Sequence, residues 1–132
     1  MTEKNAGGGL ALAVCYMYNH RIYHTNLPLS PSDIGDSLGD SFYRIVGVDP
    51  SESVAIQRTG YYQCDYVMDD SFVWNGNTYV IPSPISGPLS NVNLLYLGTV
   101  GTHNVYAMAG VDPSQQVEIN IMNSLYADAV RQ

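Results

Sequence analysis

The chain has 132 residues, of which 45% are hydrophobic and 13% are charged. This length and composition favour one compact globular domain and argue against a disordered chain. Twelve acidic residues against five basic ones give a formal net charge of -7. Because nucleic acids and anionic membranes are bound through cationic surfaces, the charge excludes nucleic acid as a partner and disfavours a membrane surface.

Cysteine content and hydropathy bear on the compartment. Cys15 and Cys64 are predicted to be two buried free thiols, with a single disulfide in an oxidising compartment as the alternative. No apolar run reaches the roughly 18 residues that would span a bilayer, so we expect no direct membrane insertion. The chain reads as soluble, either in the cytoplasm or as the soluble part of a cell-envelope protein.

The segments of the chain differ in composition. Residues 1–9 are predicted to be a flexible leader, because they end in three consecutive glycines that pack nothing. Residues 10–132 are predicted to form a single domain made of two repeats, approximately 12–66 and 70–129.

The two repeats are recognised by one segment that occurs twice. The sequence FYRIVGVDPS at 42–51 returns as VYAMAGVDPS at 105–114. In both copies the proline is preset for the second position of a type I turn. The preceding aspartate, Asp49 or Asp112, can accept a hydrogen bond from the backbone two residues on. An internal copy of this kind indicates a duplicated architecture.

Each repeat begins with a predicted β-hairpin. Asn19-His20 and Asn75-Gly76 lie between hydrophobic strands, where a two-residue turn needs positive φ at both positions. Residues 27–40 and 81–98 are then predicted loops. The first contains one helical turn that starts with Ser30 as N-cap and Pro31 in the first helical position.

The strands that follow the Asp-Pro-Ser turns alternate between apolar and polar residues. The residues predicted to face the core are Val54, Ile56, Val117, Ile119 and Ile121, and those predicted to face outward are Glu118 and Asn120. About four short strands per half are too few to bury a face alone. We therefore predict an all-β fold with minor helical turns, an internally duplicated, pseudo-twofold β-sandwich or small barrel of eight strands.

One group of proteins shares this order of motifs. Trp74-Asn75-Gly76-Asn77-Thr78-Tyr79, then Leu97-Gly98, then the segment from Val105 to Pro113 resemble a module of uncharacterised bacterial proteins of the Gram-positive envelope. Many of those are lipoproteins or membrane-tethered proteins. The resemblance covers most of the chain from Val14 onward and implies a fold. It implies no activity and no site residues.

The sequence contains candidate residues for three kinds of chemical site. His20, His24 and His103 lack the spacing of a metal site, and we expect turn and surface positions for them. The acidic clusters Asp33/Asp36/Asp40 and Asp65/Asp69/Asp70 lack the spacing of a calcium loop. No Gly-x-Ser-x-Gly elbow marks a nucleophile. No catalytic residue, metal or cofactor is predicted.

Aromatic residues supply the binding candidates. Tyr18 and Trp74 precede the two hairpin turns, and Tyr23 and Tyr79 follow them. Exposed rings there would form a protein- or glycan-binding face, whereas buried rings would fill the seam between the repeats. The sequence favours a non-enzymatic binding or structural module. The partner would be another protein or a second copy of the chain, as a homodimer. The alternative is a small hydrolase or metal-binding protein with its site at the seam.

Overall fold

The computed structural model describes residues 14–132, so the predicted leader at 1–9 lies outside the described residues. The first half contains β1 (Cys15–Tyr18), β2 (Arg21–Leu29), a 3-10 helix (Pro31–Asp33), β3 (Ile34–Gly39), β4 (Phe42–Ile45), β5 (Ser53–Gln57) and β6 (Tyr61–Asp69). The second half contains β7 (Ser71–Trp74), β8 (Asn77–Val80), β9 (Leu94–Val100), β10 (His103–Met108), β11 (Gln116–Met122) and β12 (Leu125–Arg131).

The two halves form two antiparallel sheets with the same strand order. The first is β1-β2-β6-β5-β4-β3 and the second is β7-β8-β12-β11-β10-β9. Each sheet is curled, which gives a duplicated sandwich or half-barrel architecture. The predicted all-β, internally duplicated fold is therefore confirmed, with twelve strands in the described part of the chain instead of the predicted eight.

Two of the additional strands, β3 and β9, begin in the segments that were predicted to be loops. β3 and β9 pair only along one side, with β4 and β10 respectively. An edge strand does not need apolar residues on alternate positions to the same degree as a central strand, so β3, with the sequence IGDSLG, carries little strand signal. β2 also runs through Pro28, which lies at a register shift against β6.

The predicted turns are present in both repeats. Asn19 and His20 have φ of 51° and 63°, and Asn75 and Gly76 have φ of 51° and 79°. These are the left-handed values that a two-residue hairpin turn requires. Ser30 also precedes the predicted helical turn, with its backbone N–H donating to Asp33 Oδ2 at 3.0 Å.

The repeated Asp-Pro-Ser turn is held in the same way in each half. The backbone N–H and the hydroxyl of Ser51 both donate to Asp49 Oδ1, at 2.9 and 3.0 Å. Ser114 makes both bonds to Asp112 Oδ1 at 2.9 Å. These bonds lower the pKa of both aspartates, so the two carboxylates serve the turns.

A buried tyrosine connects each hairpin to the turn of its own repeat. The Tyr23 hydroxyl donates to the Pro50 carbonyl at 2.8 Å, and the Tyr79 hydroxyl donates to the Pro113 carbonyl at 2.7 Å. Both side chains are completely buried. The Tyr-to-Pro bond therefore joins the two sequence motifs that define the repeat.

We expect Tyr23→Phe and Tyr79→Phe each to lower the free energy of unfolding by about 1–2 kcal/mol, because each partly buried hydrogen bond to a proline carbonyl is lost. Urea unfolding of the two variants measures the effect. Tyr43→Phe is the control, since its hydroxyl bonds only to exposed Gln57 at 3.2 Å. Equal stability of all three variants and the wild type would contradict the structural role of the buried bonds.

The core consists of two clusters. The first lies inside sheet 1 and contains Tyr23, Phe42, Val54, Ile56 and Cys64. The second lies inside sheet 2 and contains residues of both repeats: Ile22, Met68, Phe72, Tyr79, Ile81, Val105, Val117, Ile119, Ile121, Ala127 and Ala129. The predicted inward positions of the alternating strands are confirmed.

The contacts between the repeats are not reciprocal. The back of the first hairpin presents Cys15, Met17 and Ile22 to the second core cluster. Their counterparts on the second hairpin are Ser71, Val73 and Thr78, and all three are exposed. The composition of the two hairpins agrees with this difference in burial. The three positions on the covered hairpin are all apolar, whereas two of the three on the exposed hairpin are polar.

A loop segment of the second repeat completes the edge of β12. The backbone N–H groups of Tyr126 and Asp128 donate to the carbonyls of Pro88 and Ser86, at 3.2 and 2.9 Å. Between these two acceptors lies Gly87, with φ of +150°. A Cβ at this position would lie 2.9 Å from Ala127 Cα, so the close approach requires glycine.

We expect Gly87→Ala to lower the free energy of unfolding by about 2 kcal/mol or more, through backbone strain and a forced shift of the loop. Gly60→Ala is the matched control, because a Cβ there meets nothing within 4 Å. Thermal unfolding followed by circular dichroism compares the two. A Gly87→Ala variant as stable as Gly60→Ala would contradict the close packing of this loop.

Cys15 and Cys64 are both free thiols; Cys64 is buried, as predicted, whereas Cys15 is only half-buried. Burial raises the pKa of each to about 12. Within residues 14–132, no helix is long and apolar enough to cross a membrane.

Candidate binding surface

Two of the four predicted binding residues are not on the surface. Tyr23 and Tyr79 are 0% exposed, and their hydroxyls are used by the Pro50 and Pro113 carbonyls. The expectation that they belong to an exposed aromatic face is therefore corrected. The alternation of each second hairpin strand directs these rings into the core of their own repeat.

The other two predicted residues are half-buried. Tyr18 packs against Phe42 with ring centroids 5.2 Å apart, and Trp74 packs against Tyr79 at 6.5 Å. Each ring thus lies at the rim of its own repeat's core cluster. Neither a continuous aromatic face nor a seam filled by both rings results from this arrangement.

The histidines lie apart from one another. His20 occupies the first hairpin turn, and its Nδ1 lies 3.1 Å from Asp70 Oδ2. Ser71 borders the same shallow depression. The His20 side chain is 87% exposed and no hydrogen bond joins it to Ser71, so these three residues are not arranged for nucleophilic catalysis.

The acidic residues of the two clusters have local structural partners. Asp33 accepts the Ser30 N–H, and Asp65 accepts hydrogen bonds from Asn26, Ser53 and Gln63 at 2.6–2.7 Å. Burial raises the pKa of Asp65, but these three donors more than offset it and leave the pKa below its usual value. In residues 14–132, no three metal-ligating side chains come together.

A polar cleft of about 300 Å³ lies beside the first Asp-Pro-Ser turn. Tyr18, Arg21, Arg44 and Asp49 border it. The corresponding residues of repeat 2 include Asn77 and Ala107, so the two arginines occur in repeat 1 alone. Acidic side chains border the neighbouring depressions together with the same arginines, Asp36 with Arg44 and Asp69 and Asp70 with Arg21, so the arginines do not form a purely cationic surface.

The most exposed large apolar side chains lie in a short segment that leads into β9 and includes its first residues. Four large side chains within eight residues are more than half exposed: Leu89 at 72%, Val92 at 68%, Leu95 at 67% and Tyr96 at 57%. We call these four residues the β9 strip. Single exposed apolar residues are common on proteins, but a contiguous group marks an interaction surface.

The β9 strip belongs to a long stretch without charge. From Ser71 to Val111 the sequence contains no Asp, Glu, Lys or Arg, although the chain as a whole carries 17 such residues. Charged residues, and Lys in particular, are the usual protection of an open strand edge. Within residues 14–132, β9 is hydrogen-bonded to no strand along its second side, and its own seven residues carry no charge.

The equivalent strand of repeat 1 provides an internal comparison. Ser37 pairs with Tyr43 as Tyr96 pairs with Tyr106, so Asp36-Ser37 on β3 corresponds to Leu95-Tyr96 on β9. Both pairs of side chains are exposed. The fold therefore accepts a polar pair at this edge, and folding does not explain the apolar pair on β9.

The face of sheet 2 that carries Tyr96 also holds a buried carboxyl group two strands away. Glu118 is 0% exposed and lies in register between Tyr106 and Asp128. Burial and the neighbouring Asp128 raise its pKa to about 8. Its Oε1 has no hydrogen-bond partner among the described residues. The prediction that Glu118 points outward is right for its face of the sheet and wrong for its exposure.

The sequence contained a signal for two of the three features that the aromatic prediction missed. The uncharged stretch can be read directly from the residues between Asp70 and Asp112. Aligning the repeats on their Asp-Pro-Ser turns places Glu118 opposite Ala55, which marks it as an unusual residue. The open edge of β9 had no such signal, because pairing depends on the tertiary fold.

Comparisons with known proteins add no function. No family model matches the chain, and neither the curated proteins nor the solved structures contain a match. The resemblance to the envelope module remains a prediction.

Proposed function

We propose that the protein is a binding module that takes up an extended segment of a protein partner along the open edge of β9. The observation that carries this proposal is the β9 strip, an exposed apolar group on β9 and in the segment just before it, where the strand is uncharged and is paired on one side only. A peptide that adds to a sheet edge gains main-chain hydrogen bonds, and pockets or strips beside the edge select its side chains.

The composition of the strip supports a protein ligand over a glycan. Interface cores are depleted in charged residues and enriched in aromatic ones, as at Tyr96 and its neighbours. The Tyr96 ring also packs edge-on against Tyr106 with centroids 5.9 Å apart, which holds it in place before binding.

Two observations favour binding over catalysis at the seam between the repeats. Inside the seam, Ile22 and Met68 pack as apolar side chains at 0% and 7% exposure. The cleft of about 370 Å³ that remains between the repeats is bordered by residues such as Tyr16, Arg58 and Pro84, and no histidine of the described residues lines it. The only buried carboxyl group without full hydrogen bonding in the described part, Glu118, is completely enclosed. A hydrolase site would need polar groups that converge on an open cleft.

Selection from a phage-displayed library of random peptides tests the proposal. The bait is the immobilised protein, and the counter-selection uses a Leu95→Asp/Tyr96→Ser variant that copies the Asp36-Ser37 pair of β3. We expect peptides with alternating apolar residues that bind the wild type and lose at least about tenfold in affinity for the variant, roughly 1.4 kcal/mol. Amide hydrogen exchange of the bound complex should show new protection in β9. A selection that yields only peptides indifferent to the substitution would contradict the proposal.

A further inference from the structure

We infer that the partner of the β9 edge is a second copy of this chain, joined antiparallel about a twofold axis. This inference rests on the proposed function and goes further by naming the occupant. In the resulting homodimer the two copies of sheet 2 would become one continuous twelve-stranded sheet.

The distribution of charge selects this occupant. Complementary charges contribute to the specificity and the association rate with a partner of different sequence, and the stretch from Ser71 to Val111 offers no charged residue for this. Two copies of the chain each carry a net charge of -7, so they repel one another over most of their surface. The uncharged β9 strip is the place where two copies approach with the least repulsion.

The geometry of the edge fits a twofold contact. An antiparallel strand edge presents the same donors and acceptors to a copy of itself, so residue i meets j as j meets i. β9 spans seven residues, Leu94–Val100, whereas the opposite edge strand β7 of the same sheet spans four and approaches the Gly98 end of β9 through Trp74. The Leu95-Tyr96 end is therefore the part of the edge that accepts the copy.

The other edge of this type within the protein is protected. β3 carries Asp36 and Ser37 where β9 carries Leu95 and Tyr96. A twofold contact uses the β9 edge of both copies, so this pairing closes at a dimer. The difference between the repeats thus selects β9 over β3 as the place of the contact.

Sedimentation velocity of the full chain over a range of concentrations tests the inference. We expect a monomer–dimer equilibrium with a dissociation constant on the order of 10 µM, as for a small interface. The Leu95→Asp/Tyr96→Ser variant should weaken the dimer at least about tenfold, since two carboxylates then face each other across the axis. Added salt should strengthen the wild-type dimer, because it screens the repulsion between acidic copies.

The reverse exchange is the second arm. Asp36→Leu/Ser37→Tyr opens β3 as well, so each copy has two open edges, and we expect species larger than dimers. Circular dichroism melting of each variant separates lost association from lost folding. If the β9 variant is too unstable for its association to be interpreted, the β3 variant still tests the inference.

The outcomes distinguish the two proposals. If the wild type is monomeric at all concentrations but the phage selection yields peptides that depend on β9, the inference of a homodimer is overturned and the proposal that β9 binds another protein is retained. A monomeric wild type without such peptides overturns both. A dimer unaffected by either exchange places the interface elsewhere and overturns this inference.

Discussion

Raising the pH from about 5 to about 9 is expected to destabilise the wild-type protein by a few kcal/mol, whereas a Glu118→Gln variant should lose much less. Glu118 is completely buried, and burial together with the Asp128 carboxylate raises its pKa from 4.5 to about 8. The folded protein therefore holds a proton that the unfolded chain releases at lower pH.

The direction of the effect follows from this difference. Below about pH 4.5 Glu118 is protonated in both states, and the folded state keeps its full stability. Between 4.5 and about 8 the unfolded chain binds fewer protons than the folded one, so the free energy of unfolding falls as the pH rises. Above about 8 the group is ionised in both states, and a charge is then buried beside Asp128.

Other titrating groups act outside this window or in the opposite direction. Burial lowers the pKa of His24, so its contribution to stability increases as the pH rises toward 6.5. The lowered pKa values of Asp49 and Asp112, set by hydrogen bonds from Ser51 and Ser114, cause loss of stability only in more acidic solution. The wild type and the variant share these groups, so the difference between their profiles isolates Glu118.

Urea unfolding of both proteins at a series of pH values provides the measurement. Glu118→Ala is a useful second variant, because it places in repeat 2 the alanine that repeat 1 carries at Ala55. It removes the buried carboxyl and leaves a cavity whose cost does not depend on pH. Parallel pH profiles for the wild type and both variants would show that Glu118 does not hold the proton in the folded state.

The features that could be predicted from sequence are those that local chemistry determines. The Asn19-His20 and Asn75-Gly76 turns need positive φ, and their residues tolerate it. The Asp-Pro-Ser turns contain their own acceptor and donor. Strand alternation at 117–121 identifies the core face because one side of that sheet packs inward.

The features that could not be predicted depend on residues distant in the chain. β3 is a strand because β4 pairs with it, and its own residues IGDSLG barely indicate it. β9 pairs with β10, and its apolar sequence LLYLGTV was included in the predicted loop up to residue 98. Tyr18 and Tyr23 both lie in the predicted strands of the first hairpin, so the sequence alone does not tell which ring is buried. Only the packed hairpin shows that Tyr23 is buried and that Tyr18 lies at the rim of the core. Burial of Glu118 likewise results from neighbours on β10 and β12.

The two hairpins are a second example of environments that the sequence alone does not predict. Ile22 and Thr78 occupy equivalent hairpin positions, and the duplication alone suggests similar environments. In the folded protein Ile22 is completely buried in the cluster shared between the repeats, while Thr78 is exposed. The environment of each residue is therefore set by whether the other repeat packs against its hairpin.

Ile22→Ala is accordingly expected to lower the free energy of unfolding by about 2–5 kcal/mol, through lost burial and a cavity between the repeats. Thr78→Ala, the equivalent change on the second hairpin, should stay within roughly 0.5 kcal/mol of the wild type. Urea unfolding measured by both far-UV circular dichroism and Trp74 fluorescence compares them. Coincident transitions would show that the two repeats unfold as one unit, held together by the Ile22 contact. Similar costs for both substitutions would instead mean that the repeats pack symmetrically and that the second hairpin is also covered.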